Sequence, residues 1–512
     1  MKKFTLFLLL MTIGKLQAQT VLNNSFESSS DTSVLFPKFW SFTIGTPTGV
    51  ESHVLTNEIF AVHDSSFAHS GKFSIKLSVA DSNNFFFATS QQIKINSNTP
   101  KSIRIFAWIK TKDCKKGAGL NCTQVNNQGK NIAYTSSRQQ EVLVTNTNEW
   151  TKTELVVLLN PATKSLKLNA FIYGAGTVWF DDITIEESLN GRNKTAPIIL
   201  NYLDTLIKIV KVNSLFTDSI NWPILTNQLN MLASGMQTYR EASLLSNYIL
   251  SELRLHGDNH STFLSSTAAK QFATADIQGR GRKVEAEYLG EGVGYVSMPG
   301  FASINDSVNV SFAANVQALI KKIDTENKIC SWIVDLRDDD GGSMGPMITG
   351  LGPILGEGMY ALDYSYSAKK DTGISFYRNG ESYFELNGKK DSLSTKILHP
   401  YKLKNDRIPV AVLIGKGCGS SGECTAAAFI GRNNTKLFGQ PTAGFTTGNA
   451  DFTLHDGSML FIAGGVLTDR NGKKYRERIF PDVQIEESQT DNTDITLAQA
   501  KKWLVSIKKC NQ

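Results

Sequence analysis

Gly417-Cys418-Gly419-Ser420-Ser421-Gly422-Glu423 joins a strand-like run, Ile408-Pro409-Val410-Ala411-Val412-Leu413-Ile414, to a helix-like run, Thr425-Ala426-Ala427-Ala428-Phe429-Ile430. A short glycine-rich turn between strand and helix holds a serine hydroxyl out into a cleft. It also aims the free N–H groups of the helix start at whatever that serine attacks. A serine nucleophile needs this local geometry. Ser420 and Glu423 also match the S-x-x-E capping box, whose only task is to start a helix. Taken alone, the stretch is read either way.

A second stretch bears on the choice. Ile333-Val334-Asp335-Leu336-Arg337 reads as an apolar strand ending in charge, and Asp338-Asp339-Asp340-Gly341-Gly342-Ser343 turns from it into a helix-like run, Met344 to Leu355. Paired glycines after a strand leave backbone N–H groups bare, as an oxyanion hole requires. Three consecutive acids lack the alternation of an EF-hand loop, which argues against calcium there.

In this order the two stretches resemble the tail-specific (C-terminal processing) and tricorn-core family of serine peptidases. Its D-L-R-x-N-x-G-G turn comes first and the serine turn second. Its G-E-P-T-x-G segment is matched by Gly439-Gln440-Pro441-Thr442-Ala443-Gly444, and its closing P-D by Pro481-Asp482. The resemblance covers roughly residues 190 to 490. It implies a crotonase-like α/β core, Ser420 as nucleophile, and oxyanion donors on Gly341, Gly342 and the N–H of Ser421. The tail-specific branch takes its general base from a lysine directly after the G-E-P-T-x-G segment. Phe445 stands there, and a phenyl ring accepts no proton, so a serine–lysine dyad is excluded at that site. The tricorn branch uses a histidine after a helical subdomain. Here His256-Gly257-Asp258-Asn259-His260-Ser261 follows the helical run Glu241 to Leu255. His260 matches the family histidine, and Asn259 stands where the branch has a supporting serine. Imidazole suits the role because it titrates near neutrality. The family position of the third member falls on Tyr475; Glu477, near but out of register, either orients His260 through its second ring nitrogen or is an exposed strand charge between Arg476 and Arg478.

Length and composition fit this assignment. A chain of 512 residues exceeds one core, so two or three domains are expected. Its 41% hydrophobic content is that of a globular protein. Met1-Lys2-Lys3, the apolar run Phe4 to Met11 and Lys15-Leu16-Gln17-Ala18 read as a secretory leader, residues 1–18, too short to span a bilayer. No later run is long and apolar enough for a membrane helix. The formal net charge of +6 falls to about +3 once Lys2, Lys3 and Lys15 leave, too weak and dispersed to imply nucleic acid. The expected location is periplasmic or extracellular.

Export permits disulfides. Cys114 and Cys122 flank Lys115 to Asn121, a loop that a disulfide could close, and Cys330 and Cys510 could pair across the fold. Cys418 and Cys424 bracket the serine turn and read as small packing thiols. No histidine–cysteine cluster suggests zinc, and the chemistry needs no cofactor.

The region 20–188 differs in character. Short alternating runs such as Ser102-Ile103-Arg104-Ile105-Phe106-Ala107-Trp108-Ile109 and Glu154-Leu155-Val156-Val157-Leu158-Leu159, with Asn/Gly/Ser turns, indicate an antiparallel β-sandwich. Asn24-Ser25-Phe26-Glu27, Ala68-His69-Ser70-Gly71-Lys72 and Val178-Trp179-Phe180-Asp181-Asp182-Ile183 make it resemble the jelly-roll carbohydrate-binding modules. That resemblance implies a structural calcium on Glu27 and Asp182 and a glycan stacked on exposed aromatic rings. Trp40, Trp108 and Trp179 are candidates for stacking, and core packing is the commoner fate of such residues. Asn190 to Pro197 reads as a linker. Helical periodicity over 198–263 gives a small helical subdomain, and 286–490 the α/β peptidase core. Family members often insert a PDZ domain between these parts, and the segment Leu264 to Glu285 is too short for one. Gly373 to Gly388 reads as an added hairpin around Arg378-Asn379-Gly380.

Two functions stay open at this stage. One is a secreted serine peptidase acting on peptides or proteins through an acyl-enzyme. The other is a non-catalytic protein on the same scaffold that grips peptides or apolar ligands.

Overall fold

The computed structural model describes residues 21–31, 34–45, 51–52, 59–80, 86–95, 97–188, 194–274, 277–278, 282–361, 373–390, 394–486 and 494–507. The chain is multidomain and divides after Arg192 into two compact units.

The first unit is an antiparallel β-sandwich. Its organiser is one long strand, Lys101–Asn126. The first half of that strand pairs with Val144–Leu159 and Gly176–Glu187. The second half pairs with Thr163–Tyr173 and Asn131–Ser136. Strict alternation dictates the burial: Ile103, Ile105, Ala107 and Ile109 enter the core, and Arg104, Phe106, Trp108 and Lys110 do not. Leu155, Val157 and Leu159 meet Leu166, Leu168 and Ile172 in the same core.

Several expectations change here. Cys114 and Cys122 do not close a loop. Both are buried free thiols on the one long strand, because residues 115–121 continue the ladder instead of leaving it. Trp40 and Trp179 are core residues, their indole N–H groups donating to Asn23 O and to Asp64 Oδ2. Trp108 is half-buried under the His69 ring, centroids 3.8 Å apart. Glu27 and Asp182 both face the turn at residues 69–73. Glu27 Oε1 accepts the N–H groups of Lys72 and Phe73 at 2.9 and 3.0 Å. Asp182 receives the Ser70 hydroxyl at 2.8 Å and His69 Nδ1 at 2.7 Å. Among the described residues no three His, Cys, Asp or Glu side chains gather as a metal site. The contacts of Glu27 and Asp182 clamp the turn to both chain ends of the sandwich. Residues 1–18, the leader-like stretch, lie outside the described residues, as does Cys510, while Cys330 is disulfide-bonded.

The second unit starts with three helices, α1 (Pro197–Asn213), α2 (Trp222–Ala233) and α3 (Tyr239–Leu255). Thr238 and Glu241 form a capping box that starts α3. Strand β1 (Thr262–Leu264) follows, then β2 (Glu285–Tyr288), β3 (Val293–Ser297), helix α4 (Asp306–Glu326), β4 (Ser331–Asp335) and α5 (Met344–Leu355). After the hairpin Gly373–Arg378 and Glu381–Leu386 come β5 (Val410–Ile414), α6 (Ser421–Phe429), β6 (Thr435–Gly439), β7 (Thr447–Thr453), β8 (Met459–Thr468), β9 (Val483–Gln484) and α7 (Ile495–Ile507).

The main sheet runs β2-β3-β4-β5-β6-β9, antiparallel at β2 and parallel from β3 to β9. Every residue of β4 and β5 is buried, as expected of parallel strands covered on both faces. Trp332, Val334, Val410, Val412 and Ile414 face Val316 of α4, Leu351 of α5 and Ala427 of α6. The intervening Ile333, Ala411 and Leu413 face Ala500 and Leu504 of α7. A second, antiparallel sheet, β1-β8-β7, lies next in the chain to the helices, and Leu215 N–H donates to Ala463 O of β8 at 2.9 Å. Among the described residues no helix is long and apolar enough to cross a membrane.

Candidate active site

Adjacent parallel strands end side by side. The pairing of Asp335 with Leu413 therefore brings the turn after β4 against the turn after β5. The first carries Gly341 and Gly342, the second Ser420. The approach is close: a Cβ added to Gly341 would stand 2.8 Å from Ser420 Cβ, and Gly341 has φ +107°. Only glycine meets both conditions.

Ser420 has φ 54° and ψ −117°, a left-handed conformation that costs a non-glycine residue about 1–3 kcal/mol. Glu423, fully buried one helical turn later, holds it there. Its carboxylate accepts the N–H groups of Ser420 (3.0 Å), Gly444 (2.9 Å) and Phe445 (2.7 Å), and the Thr442 hydroxyl. Burial raises the Glu423 pKa, and these donors oppose that rise. The cap and the serine turn are thus one arrangement: Glu423 fixes the turn and the serine hydroxyl is turned to another partner.

That partner is His260. Its Nε2 lies 2.9 Å from Ser420 Oγ, although 160 residues separate them in the chain. His260 immediately precedes β1 and is held on three sides. Buried Asp258 accepts its N–H at 3.0 Å, and also the N–H and hydroxyl of Ser261. Asn449 donates to its carbonyl at 3.2 Å. Thr447 Oγ1 meets Nδ1 at 2.9 Å. With hydrogen on Nδ1, Thr447 Oγ1 accepts it and Nε2 is left to accept from Ser420 Oγ. Burial pulls the imidazole pKa below its ordinary value, against the opposing effects of the Thr447 backbone and the Asp258 charge. His256 stays on α3, 3.6 Å from Glu252.

Glu477 is not beside the imidazole. Its side chain is exposed, and its backbone carbonyl accepts the Thr446 hydroxyl at 2.7 Å. Thr447 occupies the place a third member would take. The oxyanion turn also differs in detail from expectation. Gly341 N–H is already given to Asp339 Oδ1 at 3.2 Å. Gly342 and Ser421 N–H have no acceptor among the described residues, and Ser421 Oγ donates to Gly342 O at 2.6 Å, linking the two turns. Gly341 serves by its closeness, Gly342 and Ser421 by their open donors.

Phe445 stands 5.5 Å from the His260 ring, centroid to centroid, and is 38% exposed, so it presents an apolar wall at the mouth of the site. Cys418 and Cys424 are buried free thiols. Burial first, then the carboxyls of Glu423 and Asp339, pushes Cys424 up to about 12 and Cys418 well up, so neither competes as a nucleophile at neutral pH. Thr447 and Asn449 left no sequence signal, since their role depends on which strand folds across the histidine. Asp258 did leave one, as Asp-x-His-Ser is a local pattern for a side chain that binds backbone two and three residues on.

The family model described as Peptidase family S41 matches residues 292–485. A relative from Lactococcus lactis subsp. lactis, named nisin-resistance protein, is 30% identical over 304 residues, which are 59% of this chain and 87% of the relative. A lipoprotein of known structure from Streptococcus agalactiae is similar over 62% of this chain and 99% of its own, with 23% identity and a TM-score of 0.48. A xylan-binding carbohydrate-binding module from Paenibacillus barcinonensis is similar over 32% of this chain and 91% of its own, with 14% identity and a TM-score of 0.22.

Proposed function

This chain belongs to peptidase family S41 and is a serine-type peptidase, and on that premise we propose that Ser420 is its nucleophile and His260 its general base. The supporting observation is the 2.9 Å contact between Ser420 Oγ and His260 Nε2 on a strained, glycine-lined turn. Ser420 Oγ attacks the scissile carbonyl carbon while its proton passes to Nε2. The oxyanion that forms is met by the N–H groups of Gly342 and Ser421. The imidazolium keeps its Nδ1–H on Thr447 Oγ1. It then gives the Nε2 proton to the leaving amine, and the acyl-enzyme remains. Water, deprotonated by the same nitrogen, attacks the ester and releases the second product and Ser420.

The substrate is a peptide segment that reaches Ser420 past the Phe445 ring. The named relative makes nisin one compound to assay beside unbiased peptide mixtures. The leader-like start of the chain supports export. A glycan partner for the first unit is supported by its jelly-roll resemblance, and of the three candidate tryptophans only Trp108 is not buried in the core.

A fluorophosphonate probe tests the assignment. Ser420→Ala should lose all labelling with the fold intact, and His260→Ala should label about a hundredfold or more slowly. Labelling that persists in Ser420→Ala and vanishes in Ser421→Ala would overturn it.

A further inference from the structure

We propose that Asp339 works as a neutral carboxylic acid, and that as such it is a positioning residue that keeps the oxyanion turn in its working shape. This rests on the Ser420–His260 reading for its functional consequence. The side chain is 0% exposed. Its Oδ1 accepts Gly341 N–H at 3.2 Å, and its backbone carbonyl accepts Gly419 N–H at 2.9 Å. Asp339 therefore grips the glycine turn with its side chain and the serine turn with its main chain. The fit is tight, since a Cβ on Gly422 would fall 2.1 Å from Asp339 O and 2.8 Å from its Cγ.

The second carboxyl oxygen, Oδ2, is buried with no partner among the described residues. An ionised carboxylate here would leave charge on an atom that nothing solvates, which a buried site does not tolerate. The titratable groups facing it add no relief. Asp340 lies on its own turn, Cys418 on the serine turn, and Cys424 on α6. All are acids or thiols, and none is a cation. Burial accordingly lifts its pKa well above the usual carboxylate range. Asp339 also stands at the asparagine position of the D-L-R-x-N-x-G-G pattern, where a neutral side chain of the same shape is expected. A proton on this carboxyl keeps negative charge away from the place where the oxyanion forms. Ionisation would put a repelling charge beside it.

The experiment compares the full-length wild type with Asp339→Asn and Asp339→Leu. Wild-type kcat/KM on a peptide substrate should fall on the alkaline side as Asp339 loses its proton. Asp339→Asn should stay within about threefold at neutral pH and lose that alkaline fall. Asp339→Leu, which cannot accept Gly341 N–H, should lose about tenfold or more in kcat with KM little changed. Infrared spectra of the wild type with isotopically labelled aspartate should show a carboxylic-acid carbonyl band at neutral pH that Asp339→Asn lacks. An alkaline limb unchanged in Asp339→Asn, or no such band, would overturn the proposal. Should that variant not fold, the wild-type band titrating in step with the alkaline loss supports the proposal, and its absence refutes it. Probe labelling of Ser420→Ala reports separately on the nucleophile, so failure of that reading is seen on its own.

Discussion

Thr447→Val removes one oxygen and keeps the branched shape of the side chain on β7. The loss falls on His260 Nδ1–H, which in the wild type has Thr447 Oγ1 at 2.9 Å. In the transition state the imidazole is cationic, and a hydrogen bond to a charged group contributes about 1.5–3 kcal/mol. At 1.4 kcal/mol per decade that is about a tenfold to hundredfold fall in kcat/KM or in the rate of fluorophosphonate labelling. The pH profile supplies a second reading. Activity needs neutral imidazole, so it is lost as pH falls through the His260 pKa, which burial already holds below the ordinary value of about 6.5. Thr447 raises that pKa through its backbone, which Thr447→Val keeps. The acid limb should therefore stay in place while the plateau drops. A merely loosened site would admit water to the ring and shift the limb upward. Thr447→Ser should restore most of the rate. Wild-type rates in Thr447→Val, together with a fall in Glu477→Ala, would refute the reasoning and return the third role to Glu477.

Two further variants follow from the same geometry. Gly341→Ala places a methyl 2.8 Å from Ser420 Cβ at a backbone angle alanine resists, and should cost about a hundredfold in labelling rate, with an unchanged profile of acid inactivation. Removing residues 21–188 should leave labelling of Ser420 within a few-fold, because the two units form separate cores; a soluble, folded truncation that no longer labels would show that the first unit completes the site.

What could be read from the sequence was whatever depends on short spacing. Ser420, the Gly341–Gly342 pair and His260 sit in local patterns, and the fold brings all of them together. Phe445 was legible as the loss of a lysine. The burial alternation of residues 102–109 was visible as a strand, but not the length of that strand. Nothing in Lys115 to Asn121 says that the ladder continues, so two cysteines eight positions apart looked like a loop waiting to be closed. Glu477 and Thr447 show the other limit. Both lie far from His260 in the chain, and Thr447 reaches the ring because β7 and the strand that follows the histidine both pair with β8. Glu423 was read as a helix signal. That is correct, but its carboxylate also ties down Gly444 and Phe445, which no local pattern announces.

The contact between His260 and Ser420 spans 160 residues, and Thr447 lies 187 residues beyond the histidine it supports. Such pairs form late, after the loops between them have closed and both sheets have taken register. A chain still folding therefore has a serine without a base and a histidine without an orienting oxygen. On the Ser420–His260 assignment, cleavage needs the second unit assembled around both residues. A shift of β7 on β8 moves Thr447 away from the ring it meets, so the site depends on that register as well as on the residues themselves.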